Sequence, residues 1–152
     1  MINHFARLSL PVIPKTRPIT AKPVDFQKII SLVNRTTPKG LRDRVILLLR
    51  FRYGLKTGEI AKLELGAVDV ETGIINISSR RRNRIVLLDP KDFPDFRRWA
   101  TVRNLFVAET NAFIISMHWT AGRSIPHRKM STRGVYQIVA DYVALAEQKG
   151  EE

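Results

Sequence analysis

Four arginines crowd one short stretch, Ser78-Ser79-Arg80-Arg81-Arg82-Asn83-Arg84. Guanidinium groups at the tip of a β-ribbon engage phosphates through paired N–H forks, and such a ribbon can enter a nucleic-acid groove. The plainer alternative is a solvated turn that blunts a sheet edge. Like charges this dense repel one another unless an anion relieves them, so contact with a polyanion is the expectation. A second basic stretch runs from Trp119 to Thr132 and holds Arg123, Arg128 and Lys129, with Arg133 just beyond and no acid. It suits a loop that tracks phosphates, to which Ser131 or Thr132 at a helix start could add backbone N–H donors; a solvated loop is the competing reading. His127 inside it has no catalytic spacing. His4, His118 and His127 are too scattered for a metal site, and the absence of cysteine excludes disulfides, thiol chemistry and cysteine-held zinc. No metal or cofactor is expected.

The whole chain carries the same charge signature. Its 152 residues hold 26 basic against 14 acidic side chains, a formal charge of +12. That is a statement about partners: a polyanion, with nucleic acid the commonest. A basic domain that is merely soluble, or a ribosomal type of protein, would share it. Hydrophobic residues at 44% and charged residues at 26% describe a globular chain with a core of its own. No apolar run approaches the roughly 20 residues that span a membrane. Residues 1–11 lack the apolar core and cleavage site of a signal peptide. The expected setting is intracellular and cytoplasmic, alongside the nucleoid if the source is bacterial.

The elements that must position these groups follow from periodicity. Residues 1–23 contain Pro11, Pro14, Pro18 and Pro23 with basic side chains and no acid, which predicts an extended arm or linker. Phe26, Ile29, Ile30 and Val33 predict a helix over about 24–34. Residues 36–40 read as a loop, and a second helix over 41–53 is apolar all round at Val45–Leu49, the mark of a central core helix. Gly54 is placed to end it, and Thr57 to cap a short helix over 58–63. Val68 with Val70, Ile74–Ile77 and Arg84–Leu88 read as three short strands. A helix over about 93–107, a further strand over 112–116 and a last helix over 132–148 complete the order. The stripe of that last helix is Val135, Ile138, Val139, Tyr142, Val143 and Ala146. The class is α+β, mostly helical with a small three-stranded antiparallel sheet.

Several segments together resemble the catalytic domain of the tyrosine recombinases, the phage integrase family. They are Leu41-Arg42-Asp43-Arg44 leading into the apolar run, and Gly54-Leu55-Lys56-Thr57-Gly58-Glu59-Ile60 against a Gly-Leu-Arg-x-x-Glu-Leu box. Ala61-Lys62-Leu63-Glu64-Leu65, Ala67-Val68-Asp69, Arg82-Asn83-Arg84-Ile85-Val86-Leu87-Leu88 and Met130-Ser131-Thr132-Arg133-Gly134-Val135-Tyr136 follow in the family's order. The resemblance covers residues 20–148 and implies the N-terminal part of that catalytic domain over 24–152. It also implies a chemistry: a tyrosine hydroxyl attacks a DNA phosphodiester while two arginines clamp the charge that develops and a hairpin lysine protonates the leaving group, with no metal.

Carried over by position, Lys56 falls on the first arginine of the clamp and Glu59 on the acid that orients it. Lysine keeps the charge but lacks the planar fork. The hairpin lysine position falls at Ser79 or Arg80, and arginine is a poor general acid. The family's His-x-x-Arg box would lie beyond Gln148 and its nucleophile later still; Tyr53, Tyr136 and Tyr142 come too early and have spacing that suits packing. The expectation is a DNA-binding, integrase-like chain that is catalytically inactive by itself, with DNA contacts at Arg80, Arg81, Arg82, Arg84, Arg128, Lys129 and Lys56. Alternatives are a fragment of an active recombinase completed by a missing C-terminal segment, and a basic RNA-binding or assembly protein. With the later helices missing, the apolar stripes of the core and last helices would lie open, so self-association or an integrase partner chain is also expected.

Overall fold

The computed structural model describes residues 25–80, 83–106, 110–117, 119–120, 123–124 and 128–150. The stretch read as an arm, 1–23, and the arginines Arg81 and Arg82 lie outside the described residues, as do the three histidines.

Helix α1 is Phe26–Ser31, begun by Asp25, whose carboxylate accepts from the Gln27 N–H at 2.9 Å. It is shorter than its periodicity suggests, because Leu32 and Val33 turn out of the helix while remaining in the core. Helix α2, Pro38–Leu47, starts three residues earlier than the sequence implies. Thr37 caps it by accepting from the Gly40 N–H at 3.0 Å, and Pro38 occupies the first turn, where its missing N–H costs nothing. Helix α2 runs on into a π-helical turn, Leu48–Arg52, in which the Tyr53 N–H reaches the Leu48 carbonyl at 3.1 Å. Val45, Ile46, Leu47, Leu48 and Leu49 are all fully buried, as an all-round apolar helix requires.

After the short helix α3, Thr57–Lys62, and a 3-10 turn at Leu65–Ala67, the chain forms β1 (Val68–Asp69), β2 (Ile74–Ile77) and β3 (Arg84–Leu87). They make an antiparallel sheet in sequence order, with Val68 opposite Ile75 and Ile75 opposite Val86. Alternation turns Ile75 and Ile77 into the core; Ile85 and Leu87 face outward and are 63% and 68% exposed. The β1–β2 turn is held by Asp69, whose carboxylate accepts from the N–H groups of Glu71 and Thr72. A 3-10 turn, Pro90–Asp92, leads into helix α4, Phe93–Phe106. Then come the two-residue strands β4 (Trp119–Thr120) and β5 (Arg123–Ser124) and helix α5, Thr132–Gly150. The mostly helical α+β architecture with one three-stranded antiparallel sheet is the one expected.

One expected strand is absent. Residues 112–116 make only isolated bridges, Glu64 with Ala112 and Ile115 with Lys129. The segment's backbone still pairs with residues on both sides, the Phe113 N–H with the Leu63 carbonyl and the Ser116 N–H with that of Arg128, but several of its carbonyls go to side chains. Arg103 donates to the carbonyls of Ala112 (2.8 Å) and Thr110 (2.6 Å), Trp99 Nε1 to that of Phe113 (3.0 Å) and Arg42 to that of Ile115 (3.1 Å). This strap crosses the core floor formed by Phe96, Trp99 and Phe113, with the Phe96 and Phe113 rings 6.3 Å apart and nearly parallel.

The apolar stripes of α2 and α5 are largely buried. Val135, Val139, Val143 and Ala146 are buried, as is the α2 run, while Ile138 and Tyr142 are half-buried against the core and Leu145 is 44% exposed. No described helix is long and apolar enough to cross a membrane.

Candidate nucleic-acid interface

Lys56 owes its place to the end of the core helix. The chain leaves the π-helical turn through Tyr53 and then Gly54, whose φ of 75° is the left-handed conformation that glycine adopts without a Cβ penalty. Leu55 is fully buried, and its N–H bonds to the Leu49 carbonyl at 2.9 Å, which pins the residue before Lys56 to the core. Lys56 is then extended (φ −74°, ψ 154°) and serves as the N-cap of α3. Thr57, expected to be the cap, is instead the first helical residue. A lysine side chain has no acceptor, so only half of a capping box forms: Glu59 accepts from the Lys56 backbone N–H at 2.9 Å. The Lys56 side chain is exposed, and its ammonium has no ion-pair partner among the described residues.

Glu59 is the junction of the site. Besides the Lys56 N–H it accepts both arms of the Arg84 guanidinium, Nη1 to Oε2 at 2.7 Å and Nη2 to Oε1 at 3.0 Å. Burial pushes the Glu59 carboxyl upward. The Arg84 fork, the Lys56 N–H and the two nearby positive charges outweigh it and leave the carboxyl below its ordinary value. Arg84, in turn, is raised chiefly by its hydrogen bonds to Glu59. Glu59 therefore orients the backbone of Lys56 and the side chain of Arg84.

This pairing sets Arg84 apart from the guanidiniums expected at the hairpin tip. Arg84 lies opposite Ile77 in the β2–β3 register, on the inward face, and its paired N–H groups are committed to Glu59. Strand alternation was the signal that could have separated it. Arg80 remains exposed in the β2–β3 connection, with no partner among the described residues.

The second basic segment is held by the strap at 112–116. The Arg128 carbonyl accepts from the Ser116 N–H (2.8 Å) and hydroxyl (3.2 Å), and the Met130 N–H reaches the Ile114 carbonyl (3.3 Å). The backbone of 128–130 is thus fixed to the central strap, while the Arg128 and Lys129 side chains stay exposed. Ser131 begins α5 by accepting from the Gly134 N–H at 3.0 Å. Thr132 lies against Gly58: a Cβ at Gly58 would meet the Thr132 side chain at 3.8 Å. Two residues from Lys56, therefore, α3 lies against the start of α5.

None of the chain's three tyrosines stands free. The Tyr53 hydroxyl donates to Asp92 and accepts from the Asp89 N–H, and burial together with the Asp92 carboxylate pushes its pKa well above the ordinary phenol value. Tyr142 donates to Asp43 Oδ2 at 2.8 Å and is raised by burial and by the Asp43 charge. Tyr136 is buried in the core. The Asp43 contact belongs to a buried network that the sequence did not disclose, in which Arg42 donates to Asp43 Oδ1 through Nε (3.0 Å) and Nη2 (2.9 Å).

Comparison with known proteins places this geometry. The phage integrase family model matches residues 21–151. Tyrosine recombinase XerC of Actinobacillus pleuropneumoniae serotype 7 is 28% identical over 120 residues, which cover 77% of this chain and 38% of that protein. Tyrosine recombinase XerC of Pelotomaculum thermopropionicum is 24% identical over 143 residues, covering 93% and 46%. The crystal structure of XerA recombinase superposes with a TM-score of 0.64 at 19% identity, over 92% of this chain and 47% of that one, a likeness of fold. The chain spans less than half the length of these relatives. Its family is nonetheless fixed by a match across most of its residues: the chain belongs to the phage integrase family.

Proposed function

We propose that this chain binds duplex DNA in the service of DNA integration and site-specific recombination, and that it does not cleave DNA by itself. The observation that carries the reading is the state of Lys56. Its side chain is exposed and without an ion-pair partner among the described residues, while Glu59, whose carboxyl it helps to lower, is already held by both arms of Arg84. The site therefore has a positive charge to offer an incoming phosphate. Arg80, Arg128 and Lys129, all exposed, extend the positive surface on the two segments that flank α3, and Arg81 and Arg82 are assigned to it by sequence alone.

Strand cleavage needs a nucleophile, and Tyr53 and Tyr142 are poor ones, each already donating its proton to a carboxylate and held in its neutral form by burial. Family membership gives no support to the RNA-binding alternative. The fraction of each relative that is matched favours a second reading, in which a further segment supplies the nucleophile and the rest of the clamp. On either reading the protein works where the cell keeps its DNA.

Two measurements separate these. Anisotropy titration of labelled duplex DNA should give an affinity that falls steeply with salt and weakens when Lys56, Arg80 or Arg128 is changed to alanine. A nicked suicide substrate should give no covalent adduct with this chain. Adduct formation by it would overturn the non-cleaving reading, and DNA affinity indifferent to all three substitutions would overturn the interface.

A further inference from the structure

At the opposite end of the core helix from Lys56, a cavity of about 460 Å³ opens between the start of α2 and the flank of α4. From Pro38 through Arg52 the helix and its π-helical turn hold 15 residues, roughly 22 Å at 1.5 Å per residue, so the two sites sit at different poles. Arg35, Arg97 and Arg98 line the cavity and no acid does, but Arg97 is engaged by the Val70 carbonyl (3.0 Å) and the Phe93 ring, which leaves Arg35 and Arg98 as its cationic rim. Arg35 spends one nitrogen on Asp95 (3.2 Å), a carboxylate that also takes Arg44 at 2.8 Å, so charge remains in excess. Arg98 is exposed and has no partner among the described residues.

The floor is different in character. Leu41 is buried, and Pro38 and Val102 are half-buried. Along α4, Arg98, Thr101, Val102 and Leu105 follow i, i+3, i+4, i+7 spacing and so share one face. Leu105 is 78% exposed, the most exposed of the large apolar side chains described. A cationic rim, an apolar floor and an uncovered leucine on one helix face are complementary to a partner that is both acidic and apolar. A duplex would satisfy the arginines but offers nothing to cover Leu105.

We propose that this face docks a short acidic, amphipathic segment of another protein, its large apolar side chain resting on Val102 and Leu105 and its carboxylates on Arg98 and Arg35. The partner engaged here is distinct from the DNA engaged at Lys56, and both can be held at once.

The test is a selection of random short displayed peptides on the intact chain, followed by polarisation titrations of the enriched sequences. Enriched peptides should pair Asp or Glu with a large apolar residue. Their affinity should fall at least tenfold for Arg98→Glu and for Leu105→Ser, while duplex DNA binding by the same variants stays unchanged. Both positions are exposed, so a thermal melt matching wild type is expected for each variant. The proposal fails if the enriched peptides are not acidic, if they bind both variants as tightly as the parent, or if duplex DNA displaces them and loses affinity with the same substitutions.

Discussion

Replacing Arg84 with alanine isolates the Glu59 junction. The substitution removes two charge-assisted hydrogen bonds, at 2.7 and 3.0 Å, and leaves a carboxylate whose side chain is only 11% exposed with the Lys56 N–H alone. Hydrogen bonds to charged groups contribute about 1.5–3 kcal/mol net. Arg84 itself is 39% exposed, so water screens the pair and the lower end applies, about 1.5 kcal/mol. For a chain of this size that corresponds to a fall in melting temperature of roughly 3–6 °C at neutral pH. The loss must also depend on pH in a defined sense. The Glu59 carboxyl is depressed in the folded state from an ordinary value of 4.5, so its stabilisation is fully present above that value and disappears as pH falls through the lower folded-state value. The gap between the parent and Arg84→Ala, followed by circular dichroism, should therefore narrow as pH falls below 4.5. Superimposable melts at pH 7, or a gap that persists undiminished at the acid end, would refute the junction.

Three further outcomes are expected. Lys56→Ala should weaken duplex binding and reduce the slope of log affinity against log salt by about 1, the mark of one lost phosphate contact, measured by anisotropy over a salt series. Tyr142→Phe leaves Asp43 Oδ2 without its donor inside the core and should cost about 1–3 kcal/mol in urea unfolding, with DNA affinity unchanged. Gly73→Ala should destabilise by more than about 2 kcal/mol, because φ is +78° there and the added Cβ would come within 2.4 Å of the Phe93 ring; a melt equal to wild type would show that the ring moves aside freely.

Much of the fold was legible because its signals are local. The all-round apolar run at Val45–Leu49, the alternation of Ile75 and Ile77, and the 3.6-residue stripe of the last helix each announce their element and what it buries. What stayed hidden depends on partners distant in sequence. Asp43 and Tyr142 stand 99 residues apart, and Arg42 reaches a carbonyl 73 residues away, so nothing local marks either as a core contact. The same holds for residues 112–116, whose β-like composition leads to isolated bridges only, with side-chain donors from α2 and α4 on several of their carbonyls. In the candidate site, Lys56 and Glu59 stand out through a short box, whereas the pairing of Arg84 with Glu59 needed the register of β3 against β2. The Arg98–Leu105 face escaped because arginine and leucine on an amphipathic helix look like ordinary surface and core until exposure is known.

The π-helical turn at Leu48–Arg52 has a consequence for how this surface can vary. A widened turn is an α-helix that has taken in one extra residue without losing its neighbours on either side. Deleting one residue between positions 48 and 52 would let the helix close to regular α geometry with its flanks in place, whereas deleting one from the regular turns of α2 would rotate everything after it by about 100° about the axis. Leu55, whose N–H bonds to the Leu49 carbonyl, is seated in the core by that residue count, and Lys56 follows it directly. A single deletion should therefore be tolerated far better at 48–52 than within 41–47.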